Sequence, residues 1–135
     1  MATMQHLFTP TGEAALAAAL QRKPLLAFDF DGTLAPIVAR PESARISRGV
    51  SARLMALNAH LPVAIVTGRT VADVRARLDF SPTYVIGNHG AEEEGSAAEG
   101  IPPASELALL REALRGRSEA LEALGVTVED KRLSI

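Results

Sequence analysis

A short apolar segment that runs into two acidic residues and a glycine constrains the fold more than any other feature. Residues 25–28 are Leu, Leu, Ala and Phe, a composition typical of a buried strand, and Asp29, Phe30, Asp31 and Gly32 follow directly. Because side chains alternate along a strand, Asp29 and Asp31 leave it on the same side. Two carboxylates this close repel each other unless a cation lies between them, and Mg²⁺ prefers such oxygen ligands. We therefore expect Asp29 and Asp31 to hold Mg²⁺.

The same two carboxylates suit phosphoryl transfer. Asp29 can attack phosphorus as a nucleophile and form an aspartyl-phosphate, while Asp31 protonates the leaving oxygen and later activates water. Gly32 lets the backbone approach a phosphate closely, and the Thr33 hydroxyl can hydrogen-bond its oxygens. Two other interpretations are a solvated acidic turn, the usual origin of a bare Asp-x-Asp, and a calcium loop, which the apolar strand in front disfavours.

The sequence predicts that strands and helices alternate through the first 90 residues. Ser47 and Thr70 are expected to cap helices, since apolar residues recur at helical spacing after each of them. Strands that alternate with helices form crossover connections, so the pattern predicts an α/β fold with a parallel sheet and helices on its faces. The predicted strands begin at Leu25, Leu61 and Tyr84, and a further helix is predicted at residues 13–22.

Parallel sheets bind ligands beyond the carboxyl ends of their strands, and three polar motifs fall at that edge. At the second motif, Thr67 can hold the transferring phosphoryl group, and Gly68 allows close backbone approach in front of a helix N-terminus. On its own, this motif is more often a strand-to-helix turn with Thr as a local cap. The three motifs are residues 29–31, 67–69 and 88–90.

The remaining polar residues of these motifs each have two interpretations. Arg69 either binds substrate or pairs with a carboxylate such as Asp73. His89 is either a hydrogen-bonded residue of a glycine-flanked turn or part of the site, and Glu92 either orients this turn or faces the site.

These motifs together resemble a known enzyme superfamily. Residues 29–37, Asp-Phe-Asp-Gly-Thr-Leu-Ala-Pro-Ile, resemble the first signature of haloacid dehalogenase-like (HAD-like) phosphatases, and the extension through Ala-Pro-Ile is similar to that of trehalose-6-phosphate phosphatases. Thr67, Gly68 and Arg69 match the second signature. Residues 87–92 match a Gly-x-His-Gly-x-Glu segment that in this family lies between the catalytic core and a mobile cap.

The resemblance implies a Rossmann-like, HAD-like core in residues 1–101 and the beginning of an α+β cap in residues 102–135. Residues 101–103, Ile-Pro-Pro, are expected to form a stiff joint where one unit can end. Glu129 and Lys131 resemble the Glu-x-Lys segment with which the family's cap grips the sugar. Without the resemblance, these two residues would be an exposed, oppositely charged pair.

The implied activity is Mg²⁺-dependent hydrolysis of trehalose 6-phosphate to trehalose and phosphate. Asp29 would be the nucleophile and Asp31 the general acid and base, with both as metal ligands; Gly32, Thr33, Thr67, Gly68, Arg69 and His89 would bind phosphate or substrate. Another capped enzyme, such as a sucrose-phosphate phosphatase or a phosphomannomutase, is an alternative. A non-catalytic fragment that binds a metal or a partner through an open sheet edge is a second alternative.

The last third of the sequence predicts one long helix and one strand. The helix is expected to begin at Ser105 and end at Gly125, with a core-facing leucine stripe that continues past Gly116. A strand is expected over residues 126–135. Family members continue into a third signature with a lysine and a fourth with acidic residues, and neither follows Ile135. We therefore expect an N-terminal part of a phosphatase that turns over poorly on its own.

Composition excludes several other classes of function. The formal net charge is −2, so no basic face is available for nucleic acid. Cysteine is absent, which excludes disulfides and thiolate metal sites. The first residues lack the pattern of a signal peptide, and no segment is long enough to span a bilayer. The expected location is the cytoplasm, with no membrane or nucleic-acid partner.

Overall fold

The computed structural model describes residues 6–95, 104–131, 134 and 135. Over these residues, helices and strands alternate as far as the third strand, and two further helices follow later in the chain. In chain order the elements are α1 (Pro10–Leu20), β1 (Leu26–Asp29), α2 (Arg48–Asn58), β2 (Val63–Val66), α3 (Val71–Arg75), β3 (Tyr84–Gly87), β4 (Glu92–Glu93), α4 (Ala104–Arg115) and α5 (Ser118–Ala123).

The strands form one sheet in the order β1-β2-β3-β4. The first three are parallel, with Asp29 opposite Val66 and Val66 opposite Ile86. This confirms the predicted α/β fold and places the ends of the three strands at a common edge. The short strand β4 adds antiparallel to β3, so the segment after Gly90 begins as a paired strand. Residues 96–100 of that segment lie outside the described residues.

Side-chain caps begin the helices where the sequence predicted them. The Ser47 hydroxyl accepts from the Val50 N–H, and the Thr70 hydroxyl accepts from the Asp73 N–H. Both satisfy N–H groups that have no partner within the helix. The first helix begins at Pro10 with Thr9 as its cap, three residues before the predicted start.

Among the described residues, an apolar cluster packs the sheet against α2 and α3. Its fully buried members come from the strands, from α3 and from the turn after β1, and packing there removes large aliphatic and aromatic side chains from water. They are Phe30, Ile65, Val63, Val74 and Val85.

The predictions for the last third of the chain were partly wrong. The expected long helix is interrupted at Gly116 and Arg117, where Arg117 has a φ of −122° and a ψ of 10°. Leu110 and Leu124, assigned to the core-facing stripe, are 46% and 79% exposed. Residues 126–131, 134 and 135 are not a strand, because among the described residues no neighbouring strand pairs with their backbone. The Lys131 N–H instead donates to the Ser134 carbonyl at 2.9 Å.

None of the helices in the described ranges is long and apolar enough to cross a membrane.

Candidate active site

The carboxyl end of β1 folds back sharply and presents two aspartates. The Leu34 and Ala35 N–H groups both donate to the Phe30 carbonyl, at 3.1 and 2.9 Å. Gly32 has a φ of +84°, a left-handed conformation that glycine adopts without strain. The turn also brings the Thr33 hydroxyl to 3.2 Å from Asp29 Oδ2, to which it donates.

A cavity of about 530 Å³ opens at the carboxyl edge of the sheet. It brings together most of the site residues that the sequence predicted, from all three strand ends and from the segment near residue 130. Its lining is Asp29, Asp31, Ile37, Val38, Pro41, Gly68, Arg69, Thr70, Asp73, His89, Glu129 and Lys131. Gly32, Thr33 and Thr67 do not belong to this lining.

Arg69 links two of the cavity carboxylates. Its Nε and Nη2 donate to the two oxygens of Asp31, each at 2.7 Å, and its Nη1 donates to Asp73 at 2.8 Å. The side chain is only 12% exposed, and its guanidinium lies 5.4 Å from the centre of the Phe30 ring. The hydrogen bonds to Asp31, and secondarily to Asp73, raise the pKa of Arg69 above its ordinary value. Arg69 therefore holds Asp31 in a fixed orientation at the cavity wall.

A second arginine continues this network away from the cavity. The buried Arg77 donates to Asp73 at 3.0 and 2.5 Å and to the Glu42 carbonyl at 2.6 Å. Arg69 likewise donates to the Pro41 carbonyl at 2.9 Å. The hydrogen bonds from Arg77, and then those from Arg69, hold the pKa of Asp73 below its ordinary value. Two arginines and two aspartates thus tie α3 to the loop that covers one side of the cavity.

Thr67 is a buried residue whose hydroxyl stabilises the turn of the second motif. It is 4% exposed, and its hydroxyl accepts from the Arg69 N–H at 3.1 Å, as expected for a local cap. Its own N–H donates to the Ile86 carbonyl. In this structure, Thr67 shapes the turn that carries Gly68 and Arg69.

The third motif packs directly on the second. A Cβ built on Gly68 would lie 2.4 Å from Cε1 of His89, so only glycine leaves room for the imidazole ring. His89 lines the cavity, whereas Glu92 turns away and accepts from the Val71 N–H, at 3.0 Å, at the start of α3. The two residues therefore have different roles: His89 faces the site and Glu92 caps a helix.

Glu129 and Lys131 reach the cavity from the other end of the chain. Lys131 Nζ donates to the Gly68 carbonyl at 3.1 Å and lies 3.3 Å from a carboxylate oxygen of Glu129. The Lys131 side chain is 21% exposed. This pair thus adds a cation and an anion to the wall formed by the second motif.

The charges in the cavity distinguish Asp29 from the other acids. Asp31 and Asp73 pair with arginines, and Glu129 pairs with Lys131. Over the ranges that the structure describes, no ion pair reaches Asp29. Asp29 is therefore the carboxylate available to an incoming cation or electrophile.

The donor set fits Mg²⁺, which takes oxygen ligands and is commonly held by one or two carboxylates together with substrate phosphate oxygens. Asp29 offers a carboxylate without a competing cation, while both oxygens of Asp31 are engaged by Arg69. Within the described parts of the chain, no cluster of three or more acidic or histidine side chains forms a complete metal site. The residues present would supply part of a coordination shell, with phosphate oxygens as further ligands.

Three residues important to the site were not singled out by the sequence analysis as such: Arg77, Asn88 and, except as one possible partner of Arg69, Asp73. The sequence carried a signal for Asp73 and Arg77, which are four residues apart in the segment predicted to be helical after a ligand-binding turn. In the structure α3 ends at Arg75, and Arg77 lies in the turn that follows. Asn88 lies inside the predicted third motif, but only the packing shows which groups its amide contacts.

The fold and the site define a class of proteins: α/β domains of the HAD-like type, in which an Asp-x-Asp pair ends the first strand and Thr-Gly-Arg ends the second. The model of the Trehalose-phosphatase family matches residues 27–135. The chain belongs to this family.

Curated relatives agree over most of this chain. It is 38% identical over 118 residues to the trehalose-phosphate phosphatase of Mycobacterium avium, covering 84% of this chain and 30% of the relative. The corresponding enzyme of Mycobacterium leprae is 38% identical over 122 residues, which cover 84% and 28%. A Mycobacterium tuberculosis protein named as an uncharacterized glycosyl hydrolase is 39% identical over 118 residues, which cover 84% of this chain and 9% of that protein. The chain therefore spans less than a third of the length of these relatives.

Solved structures agree in fold. The C-terminal domain of C. albicans trehalose-6-phosphate phosphatase superposes with a TM-score of 0.63 at 23% identity, covering 80% of this chain and 39% of that one. A trehalose-6-phosphate phosphatase related protein gives a TM-score of 0.59 at 24% identity, with 74% and 44% covered.

Proposed function

We propose that this chain supplies the nucleophile half of a Mg²⁺-dependent phosphatase that hydrolyses trehalose 6-phosphate to trehalose and phosphate. The observation that carries the proposal is the position of Asp29 in the cavity, without an ion pair from the described residues, beside three acids that are each paired with a cation. Family membership and the names of the curated relatives support the choice of substrate.

The reaction follows from the chemistry of the two aspartates. An oxygen of Asp29 forms a bond to phosphorus as the bond from phosphorus to the sugar oxygen breaks, and Asp31 gives that oxygen a proton. Asp31 then takes a proton from water, whose oxygen displaces Asp29 and releases phosphate. When bound, Mg²⁺ would offset the negative charge of the phosphate and of Asp29.

The other cavity residues position the substrate. Arg69 keeps the Asp31 carboxylate oriented through its two hydrogen bonds. Lys131 and Glu129 offer a donor and an acceptor side by side, which suits sugar hydroxyl groups. A phosphorylated disaccharide would thus place its phosphate toward Asp29 and its sugar toward residues 129–131.

A chimeric enzyme tests this proposal. Residues 27–135 would replace the matching segment of the Mycobacterium avium enzyme, and phosphate release from trehalose 6-phosphate would be measured with Mg²⁺ and after chelation. We expect activity that is lost on chelation and that falls on the order of a thousandfold or more on Asp29→Asn, because the variant lacks its nucleophile. The matched control is Asp79→Asn, an exposed aspartate outside the cavity, which should leave the rate unchanged.

The chimera also separates the alternatives. Equal turnover of sucrose 6-phosphate or mannose 6-phosphate would assign the chain to another sugar-phosphate phosphatase. Phosphate release that survives Asp29→Asn would contradict the proposed nucleophile. A non-catalytic role would follow if an intact, folded chimera released no phosphate from any of these sugars. The cytoplasmic location stays a prediction.

A further inference from the structure

The side chain of Asn88 is buried, and the conformation and hydrogen bonding of its backbone fix its position. It is 2% exposed and adopts a left-handed φ of +53°, a conformation that asparagine tolerates better than most residues. Its N–H donates to the Arg69 carbonyl at 2.7 Å, which joins the turn after β3 to the turn after β2. The amide group of Asn88 is therefore held at one place beside the cavity.

Both ends of this amide contact the last described residues of the chain. Its Nδ2 donates to the Lys131 carbonyl at 3.0 Å, and its Oδ1 accepts from the Ser134 hydroxyl at 2.7 Å. The Lys131 carbonyl can only accept, so it determines which end of the amide carries the NH₂ group. A buried amide that lost these partners would have unsatisfied polar atoms, which is unfavourable.

The hydrogen bond from Asn88 to the Lys131 carbonyl fixes the backbone position from which the lysine side chain extends. With its carbonyl held by Asn88, Lys131 extends back over the second motif and places Nζ 3.1 Å from the Gly68 carbonyl. The same segment is tied on its other side to α4, where Arg111 donates to Asp130 at 2.6 and 2.9 Å. Residues 129–131 thus cross from α4 to the core, and Asn88 is their anchor on the core side.

We propose that Asn88 is a positioning residue that seats Lys131, and with it Glu129, in the cavity. This positioning of Lys131 depends only on contacts within the chain and not on a bound substrate. Its consequence for substrate, tighter binding of a phosphorylated sugar when Lys131 is seated, rests on the proposed function.

Lysine acylation tests the seating directly in the 135-residue chain. The sequence contains two lysines, Lys23 and Lys131, so each can be followed in its own peptide by mass spectrometry after treatment with an N-hydroxysuccinimide acetate ester. Lys23 is exposed and serves as the internal reference. We expect Lys131 to react more slowly than Lys23, because its amine is hydrogen-bonded and mostly enclosed.

Two variants remove the anchor in different ways. Asn88→Gly deletes the amide while tolerating the left-handed backbone, and Ser134→Ala removes one hydroxyl near the end of the chain, where unfolding is not expected. Loss of both amide hydrogen bonds should raise the Lys131 reaction rate about tenfold, and loss of one should raise it about threefold. The matched control is Asn58→Gly, the other asparagine, whose amide contacts Ser81 and Val63 away from the cavity.

The outcomes are distinct. An unchanged Lys131 rate in both folded variants overturns the proposal, as does an equal rise in Asn58→Gly. Should Asn88→Gly fail to fold, the Ser134→Ala result decides alone. A second arm adds trehalose 6-phosphate, with trehalose and inorganic phosphate as comparators. Protection of Lys131 by the sugar phosphate, weakened in the variants, supports the consequence for substrate; seating without any protection leaves Asn88 as the anchor but contradicts the proposed substrate.

Discussion

Gly68 is the residue at which a single methyl group would disturb the cavity most directly. Its φ lies outside the left-handed region, so alanine would meet no backbone strain, but its Cβ would lie 2.4 Å from His89 Cε1 and 2.7 Å from Nε2. His89 is exposed, so its ring can turn toward solvent, and we expect Gly68→Ala to push the imidazole out of place while lowering the free energy of unfolding by about 1 kcal/mol or less. Chemical denaturation and the NMR shifts of the His89 ring would measure both effects.

A double-mutant cycle distinguishes this clash from a general effect of alanine. In a His89→Ala background the ring is absent, so Gly68→Ala should cost little. The control position is Gly116, where a Cβ would lie 3.6 Å from the Glu112 carbonyl, an ordinary contact. If Gly68→Ala costs as much without the imidazole as with it, the packing of the third motif on the second is not the reason for glycine.

Charged side chains connect α3 to the loop at residues 41–44. Asp73 accepts hydrogen bonds from both Arg77 and Arg69, and those arginines also donate to loop carbonyls. Because these hydrogen bonds favour the ionised carboxylate, the pKa of Asp73 lies below its ordinary value in the folded chain. A lowered pKa means that Asp73 stabilises the fold above its unfolded pKa, and that this stabilisation is lost as the pH falls through the folded pKa.

The Asp73→Asn variant should therefore show a pH-dependent loss of stability. At pH 7 we expect a Tm lower by about 4 °C, on the order of 1 kcal/mol for a partly exposed network. The difference from the unaltered chain should shrink as the pH falls below about 4, because the unfolded chain then binds a proton at residue 73 that the folded chain takes up only at lower pH. Thermal unfolding followed by circular dichroism between pH 3 and 7 checks this, with Asp79→Asn as the control. A Tm difference that is constant over that range would contradict the assignment.

Local features of the helices and strands could be predicted from the sequence. Caps at Ser47 and Thr70 are local, since a hydroxyl bonds an N–H three residues on, and both were confirmed. The parallel strands were also predictable, because buried strands read as short apolar runs. The long helix after Ser105 was wrong, since leucine spacing alone does not show that a helix is continuous through Gly116 or that a core lies beside it.

The candidate site was predictable to the extent that topology brings strand ends together. Asp29, Arg69 and His89 meet in one cavity because parallel strands end at one edge. The ion pairs of the site were not predictable in this way. The two hydrogen bonds from Arg69 to Asp31, for example, join residues that are 38 positions apart in the sequence. The role of Asn88 could not be predicted either, because its side-chain contacts join residues that are even further apart in the sequence.

At the scale of the whole molecule, the sheet is asymmetric. Its β4 edge is a two-residue strand, whereas β1 lies at the other edge with no further strand paired to it among the described residues. In β1, the Leu26 N–H donates toward the neighbouring Pro62 carbonyl, so the alternate N–H groups face outward. An unpaired strand edge offers these groups to another chain.

We therefore expect the isolated 135-residue chain to associate with itself as its concentration rises, in sedimentation velocity from about 5 to 500 μM. Ala27→Lys places a charge on an exposed position of β1 and should shift the association to at least about tenfold higher concentration, because edge lysines oppose strand pairing. Ala18→Lys makes the same charge change on an exposed face of α1 and should leave association as it was. If both lysine variants weaken association equally, net charge rather than the β1 edge governs it. An unaltered chain that stays monomeric throughout would contradict the expectation that the β1 edge is open to pairing.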